Sequence, residues 1–208
     1  MSDPDTVPDA TPAAPVRKRP KPGERRVQIL QALAAMLQQP GAERITTAAL
    51  AARLDVSEAA LYRHFASKAQ MFEGLIEFIE QSAFTLINQI TERDEPGHVQ
   101  AARVLTMLLQ FAEKNPGMAR VMVGDALVQE NERLQQRMNL FFDKVEAALR
   151  QCLRPALPDA APACVSPAVQ AAVLLAWLQG RLQRYARSDF KRLPTEHLDA
   201  SLTLLLPR

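Results

Sequence analysis

A chain of 208 residues, with 48% hydrophobic and 23% charged residues, is long enough to bury a hydrophobic core in one large or two small domains. Its formal net charge of +2 excludes a non-specific polycation, and its two cysteines, Cys152 and Cys164, are too few for a disulfide framework. No apolar run reaches the roughly 18–20 residues of a transmembrane helix. The acidic, proline-rich start is unlike a secretory signal. We therefore expect a cytoplasmic protein that contacts no membrane.

The first 22 residues hold six of the fifteen prolines, which fix φ and remove backbone donors. We predict a disordered arm over residues 1–21. Residues 17–26 then carry six basic side chains against one acid, Glu24. Such a run suits contacts with nucleic-acid phosphates, and it is equally typical of a solubilising tail.

A first helix is predicted over residues 22–39, and Pro40 and Gly41 end it. Its apolar residues recur at helical spacing: Val27, Leu30, Leu33, Ala34 and Leu37.

A helix-turn-helix is predicted over residues 46–65. Thr46 or Thr47 caps its first helix, whose apolar side is formed by Ala49, Leu50 and Leu54. In the three-residue turn 54–56, Asp55 stands where the chain must bend, and aspartate tolerates the left-handed conformation better than most residues. Ser57 caps the second helix. In this geometry the second helix enters the DNA major groove and its first residues reach base edges.

Small residues near the start of this second helix allow its backbone to approach the bases closely. We predict base contacts for Ser57, Glu58, Ala59 and Ala60. Phosphate contacts are predicted at helix N-termini and further along the second helix, for Thr46, Thr47, Tyr62, Arg63, His64 and Lys68. A plain helical hairpin is the alternative interpretation.

Further helices are predicted over residues 67–90, 98–114, 128–153, 168–188 and 196–206, so the fold class is all-α. Ser67 and Gln70 form a capping box at the start of the first of these. Its apolar stripe then runs through Phe72, Leu75, Ile76, Ile79, Ala83, Leu86, Ile87 and Ile90. An acidic stripe at Glu73, Glu77 and Glu80 is interpreted as a solvated helix face.

The residues around the predicted turn resemble the DNA-binding domain of the TetR family. The resemblance rests on Ile45-Thr46-Thr47, on Val56-Ser57 and on Leu-Tyr-Arg-His-Phe-Ala-Ser-Lys at 61–68, and it covers residues 24–75. It implies a TetR-like fold, with an N-terminal three-helix helix-turn-helix domain (22–66) and a C-terminal helical dimerisation domain (67–208). It also implies phosphate contacts at the matching threonine, tyrosine, histidine and lysine positions. One departure is Asp55, where many members have glycine.

Other segments resemble the branch of this family that acts in nucleoid occlusion, at 75–80, 113–117 and 187–191. The resemblance implies a factor that binds dispersed palindromic chromosomal sites and antagonises the tubulin-like division protein FtsZ. No cofactor, metal or inducer is implied. FtsZ is expected to dock between helix 67–90 and the next helix, where Phe78 lies about 100° from the core stripe. The facing residues would be Met107, Gln110, Phe111 and Lys114; packing of Phe78 by a neighbouring helix is the alternative.

The TetR resemblance further implies a homodimer formed by the last two long helices. On helix 168–188, small residues and one large aromatic make a stripe that lets helices approach closely: Val169, Val173, Ala176, Trp177 and Gly180. An ordinary buried core helix is the alternative.

Two other functions compete with this one. A ligand-responsive TetR-type repressor needs a pocket with convergent polar groups, and residues 98–150 show mostly large aliphatic side chains. An enzyme is discounted, because His64, His98 and His197 are scattered and no glycine-rich phosphate loop is present.

Overall fold

The computed structural model describes residues 23–39, 45–128, 130–154 and 165–206, and within these ranges all regular structure is helical. The elements are α1 (Glu24–Leu37), α2 (Thr47–Arg53), α3 (Glu58–Tyr62), α4 (Lys68–Thr91), α5 (Gly97–Lys114), α6 (Pro116–Met122), α7 (Glu132–Cys152), α8 (Pro167–Arg187) and α9 (Leu198–Leu205). No helix in this part of the chain is long and apolar enough to cross a membrane. The predicted arm, residues 1–21, and Cys164 lie outside the described residues.

Helix α6 is the one α-helix of the described ranges that the sequence analysis missed. Asn115, Pro116 and Gly117 do end α5, but the chain turns at once into a new helix, with Pro116 at its first position. Proline is favourable there because its missing N–H is not needed in the first helical turn. A short 3₁₀ turn, Asp125–Leu127, follows. Helix α7 therefore begins at Glu132 and not at 128.

One hydrophobic core runs through both parts of the molecule, and α4 and α5 contribute buried residues to it along most of their length. The predicted stripe of α4 is buried from Phe72 to Ile90, except at Leu86, which is 39% exposed. Val27 and Ala49 were also expected on buried faces and are exposed. Each helix turns a slightly different side to the core from the predicted one. Helix α1 buries Ile29, Leu33, Ala34 and Leu37, and α2 buries Leu50 and Ala51.

The acidic stripe of α4 is an ionic seam with α7. Arg133 forms an ion pair with Glu73, and Arg137 binds Glu80 through two hydrogen bonds of 2.5 and 3.2 Å. The hydrogen bond to Glu80 raises the pKa of Arg137 above its usual range. Glu77 stays exposed. The interpretation of this stripe as a solvated face is therefore wrong for Glu73 and Glu80.

The N-terminal unit is joined to the rest through α1 and α6. Gly117 lies so close to α1 that a Cβ added there would be 1.9 Å from the carbonyl oxygen of Ala34. Arg120, one turn further along α6, is the one buried charged residue in the described ranges. Its guanidinium donates to the carbonyl oxygen of Gln39 at 2.9 Å and to Asp189 at 3.1 Å.

We expect Gly117→Ala to destabilise the protein, because its Cβ would collide with a backbone oxygen that no side-chain rotation can move. Gly74→Ala is the matched control, since the closest contact of its Cβ would be the flexible end of Leu30, at 3.1 Å, with the Phe65 ring at an ordinary 3.5 Å. Alanine gains about 1 kcal/mol of helix propensity at Gly74, inside α4, and less at Gly117, the second residue of α6. Overpacking against fixed atoms costs roughly 1–3 kcal/mol or more. Thermal unfolding should give a clearly lower Tm for Gly117→Ala than for Gly74→Ala. Equal Tm values would contradict the close approach of α1 and α6.

Candidate nucleic-acid interface

The helix-turn-helix is built by short-range hydrogen bonds. The Thr46 hydroxyl caps α2 by accepting from the N–H of Ala49 at 3.2 Å. The Ser57 hydroxyl caps α3 by accepting from the N–H of Ala60 at 3.3 Å. Between them Asp55 adopts a left-handed conformation with φ of 54°. The predicted caps and the predicted bend are therefore confirmed, with Thr46 and not Thr47 as the cap of α2.

The predicted DNA-contacting residues lie on the surface of this unit. Six are exposed, namely Thr46, Ser57, Glu58, Ala59, Tyr62 and Arg63, and four are half-buried, namely Thr47, Ala60, His64 and Lys68. Three of them are connected by side-chain hydrogen bonds. The Thr47 hydroxyl donates to Glu58 at 2.6 Å and accepts from the Tyr62 hydroxyl at 3.5 Å. The start of α2 is thereby tied to α3 on the exposed side.

Arg26 belongs to the basic run of residues 17–26, but its side chain contacts the protein itself. Its guanidinium lies 4.2 Å from the centre of the Phe65 ring and donates to the carbonyl oxygen of His64 at 2.5 Å. It therefore fixes the chain after α3 against α1. The two partners are 38 residues apart, so no local sequence pattern could indicate this contact.

Lys68, at the start of α4, forms an ion pair with Glu130, and its side chain is 28% exposed. The ammonium group also lies 5.7 Å from the centre of the Phe72 ring. A phosphate that approaches Lys68 would have to compete with the carboxylate of Glu130. No sequence pattern indicates this partner, which lies two residues before α7 and far from Lys68 along the chain.

A groove of about 560 Å³ lies between α4 and α5, with Asp199 and Leu202 of the α9 helix at one side, and it overlaps the predicted partner site only in part. Met107 and Gln110 line this groove, whereas Phe78, Phe111 and Lys114 are not among its lining residues. Phe78 is 46% exposed, so it is not packed away by a neighbouring helix of the same chain. The groove also includes residues that the sequence analysis missed: Leu86, Gln89, Arg93 and Arg103.

The predicted dimer face of α8 is open in the single chain. Val173 is 51% exposed, Val169, Ala176 and Gly180 are also exposed, and Trp177 is half-buried. The opposite side of the helix packs into the core through Leu174, Leu178 and Leu182. A helix buried on all sides is therefore excluded for α8.

The described ranges hold no cluster of the residue types that bind metals. No group of three or more histidine, cysteine, aspartate or glutamate residues there has the arrangement of a metal site. Cys152 is buried, and burial raises the pKa of its thiol. It is therefore protonated at neutral pH and a poor nucleophile.

Comparison with known proteins gives concordant matches along the chain. Residues 29–75 match the bacterial regulatory proteins of the tetR family, and residues 97–208 match the tetracyclin repressor-like C-terminal domain of the SlmA-like type. The nucleoid occlusion factor SlmA of Idiomarina loihiensis is 51% identical, with 85% of this chain and 90% of that protein covered. SlmA of Vibrio cholerae is 51% identical, with 87% and 93% covered.

Solved structures of low sequence identity share the fold. The TetR family regulator PfmR from Thermus thermophilus aligns with a TM-score of 0.69 at 20% identity, covering 88% of this chain and 95% of that one. FadR from Bacillus subtilis, solved in complex with stearoyl-CoA, aligns with a TM-score of 0.68 at 16% identity, covering 87% and 97%.

We expect Asp55→Gly to be more stable than Asp55→Ala by about 1 kcal/mol, because alanine is strained in the left-handed conformation and glycine is not. Both variants remove the same carboxylate, so their difference isolates the backbone. Urea unfolding of the two variants measures it. If Asp55→Ala were the more stable, the left-handed turn between α2 and α3 would be wrong.

Proposed function

Because this chain belongs to the SlmA nucleoid occlusion factors of the TetR family, we propose that it binds specific chromosomal sites and, while bound, antagonises assembly of the FtsZ ring, so that division over the nucleoid is blocked. The observation that carries this proposal is identity of about half, over most of the chain, to nucleoid occlusion factors, in a chain that folds its own helix-turn-helix. Such a protein acts in the cytoplasm, on the nucleoid.

For DNA binding, we propose that α3 enters the major groove. Ser57, Glu58, Ala59 and Ala60 would read base edges, where a carboxylate can accept from a cytosine amino group and an alanine methyl can touch a thymine methyl. The phosphate contacts would come from Thr46, Thr47, Tyr62, Arg63, His64 and Lys68. The Tyr62–Thr47–Glu58 hydrogen bonds support this assignment, because they hold a prospective base contact and two prospective phosphate contacts in one fixed arrangement.

For dimerisation, we propose that the open face of α8, formed by Val169, Val173, Ala176, Trp177 and Gly180, packs against the same face of a second chain. Exposed valines beside small residues favour close helix packing. Two-fold symmetry would present two α3 helices to a palindromic site.

For the partner, we propose that FtsZ docks along α4 and α5 through Phe78, Met107, Gln110, Phe111 and Lys114. An exposed aromatic residue and a groove of about 560 Å³ on the same pair of helices support this position. Leu86, which is also exposed and lines the groove, belongs to the same surface.

The second candidate is a ligand-responsive repressor. A cavity of about 230 Å³ beside α7 and α8 is lined by four side-chain amides: Gln135, Asn139, Gln179 and Gln183. It supplies convergent polar groups, which the sequence did not indicate, but it is smaller than the roughly 300–1,000 Å³ of common ligand pockets. Nucleoid occlusion is the better supported function, because identity of about half over most of the chain is to nucleoid occlusion factors.

A map of chromosomal crosslinks in the native host separates the two functions. Nucleoid occlusion requires many palindromic sites spread over the chromosome and missing near the replication terminus. One or two sites beside the protein's own gene would instead indicate the ligand-responsive repressor.

We expect Glu130→Gln to increase DNA affinity several-fold, because it removes the carboxylate that competes with phosphate for Lys68. It should also steepen the dependence of affinity on salt, since each additional phosphate contact releases counterions. Binding to one duplex at several salt concentrations measures both quantities. Glu132→Gln is the matched control, because Glu132 is exposed and does not contact Lys68. Weaker binding of Glu130→Gln would show that Glu130 positions Lys68.

We expect Phe78→Ala to leave DNA affinity unchanged and to weaken FtsZ binding about tenfold or more, as removal of a central aromatic anchor does. Leu140→Ala, at an exposed apolar position on α7, is the control for general loss of surface hydrophobicity. Binding of the DNA-loaded protein to FtsZ measures the effect. Unchanged FtsZ binding would remove Phe78 from the site, and loss of DNA binding as well would indicate misfolding.

A further inference from the structure

A cavity of about 800 Å³ opens beside the carboxyl end of α8. Four arginines converge on it from α8 and the turn that follows: Arg181, Arg184, Arg187 and Arg192. Trp177 and Gly180 complete one wall, and no described carboxylate lines the cavity. The proposed DNA and partner contacts use none of these arginines.

The positive charge of this cavity is poorly neutralised by the chain itself. Among the described residues, no carboxylate forms an ion pair with Arg184, Arg187 or Arg192. Asp189 lies in the same turn but pairs with Arg120 and does not line the cavity. Burial and the charge of Arg184 lower the pKa of Arg181 from its ordinary value, against the opposing effect of Glu196. Arg181 and Arg184 therefore repel each other across this cavity.

The turn after α8 builds the cavity. Asp189 and Phe190 both have positive φ, 49° and 63°, and the Ser188 hydroxyl accepts from the N–H of Arg192 at 2.9 Å. This sharp reversal brings Arg192 to the same cavity as the arginines of the last helical turns. Arg181 is held as a fixed wall, because it donates to the carbonyl oxygens of Pro194, at 2.9 Å, and Glu196.

Helix electrostatics explain only part of this cluster. Basic side chains in the last turn of a helix are favourable next to its unpaired carbonyl groups, which accounts for Arg184 and Arg187. It does not account for Arg181 one turn earlier, for Arg192 beyond the helix, or for an indole wall beside them.

We propose that this cavity binds a phosphate-bearing anion. Planar guanidinium groups match phosphate oxygens with paired hydrogen bonds, and several of them around one cavity compensate the cost of stripping water from a multivalent anion. A volume of about 800 Å³ lies in the range of ligand sites. The ring centre of Trp177 lies 5.9 Å from the Arg181 guanidinium, at the border between this arginine cluster and the proposed dimer face.

The phosphate has two sources, a free phosphorylated molecule or the DNA backbone. The second source rests on the proposed function. The end of α8 lies near the N-terminal unit, because Arg120 connects Asp189, just after α8, to Gln39, just after α1. DNA bound to the N-terminal unit would therefore be on the same side of the C-terminal part as the cavity. In the proposed dimer, Trp177 and Gly180 would also bring the two cavities towards the two-fold axis.

The first experiment uses the full chain and its one tryptophan, Trp177, as the reporter. Pyrophosphate is titrated at constant ionic strength, and indole fluorescence is followed. We expect a saturable change that is at least tenfold weaker in Arg184→Gln/Arg187→Gln and unchanged in the control Arg150→Gln, an exposed arginine of α7. Light scattering checks that both variants keep the mass of the wild type.

The second experiment distinguishes the sources by DNA affinity as a function of salt. If DNA phosphates occupy the cavity, the double variant lowers the slope of log affinity against log salt by about 0.9 for each phosphate that the cavity no longer binds. If a free ligand occupies it, the slope is unchanged while pyrophosphate binding is abolished. The proposal is overturned if wild-type fluorescence shows no saturable change and the slope is unaltered. A chain that binds no DNA would refute the proposed function. The pyrophosphate titration would still show whether the cavity binds a phosphate-bearing anion.

Discussion

One buried guanidinium holds the two parts of this molecule in a fixed relation. A buried cation is stable only when its donors are satisfied, and Arg120 satisfies them on two other segments of the chain. It binds the carbonyl oxygen of Gln39, just beyond α1, and the carboxylate of Asp189, just beyond α8. Gly117 has no side chain that would keep α6 from reaching α1. The orientation of the DNA-binding unit therefore depends on α6.

Helix α4 connects the helix-turn-helix to the C-terminal part of the molecule. Lys68 at its start lies beside the helix-turn-helix, Phe78 is exposed near its middle, and Leu86 lines the groove shared with α5. The ionic seam with α7 spans the first half of the same helix, through Glu73 and Glu80. The proposed contacts with DNA and with a protein partner thus lie along one helix, which α7 stabilises through these ion pairs.

The sequence predicted those features whose signals are local. Thr46, Ser57 and Ser67 cap their helices through hydrogen bonds to residues three positions on, so short motifs reveal them. The bend at Asp55 is local in the same way. The surface positions of the predicted DNA contacts followed from these elements. Features that depend on distant residues were not predictable: Glu73 and Glu80 look solvated until α7 supplies arginines 60 and 57 residues later. Helix α6 has only seven residues, too few for a periodic apolar pattern. It is stabilised by its close contact with α1, which no local pattern reveals.

The left-handed pair Asp189 and Phe190 has a consequence for cooperativity. Each non-glycine residue in this conformation costs roughly 1 kcal/mol. Part of that cost is offset within the segment, where the Phe190 ring packs against Tyr185, and part by Arg120, which binds the carboxylate of Asp189 and lies 4.9 Å from the centre of the Phe190 ring. Docking of α6 therefore stabilises the reversal after α8. Separation of α6 from α1 would also weaken the end of α8, so amide hydrogens in these two distant segments should lose protection from exchange together.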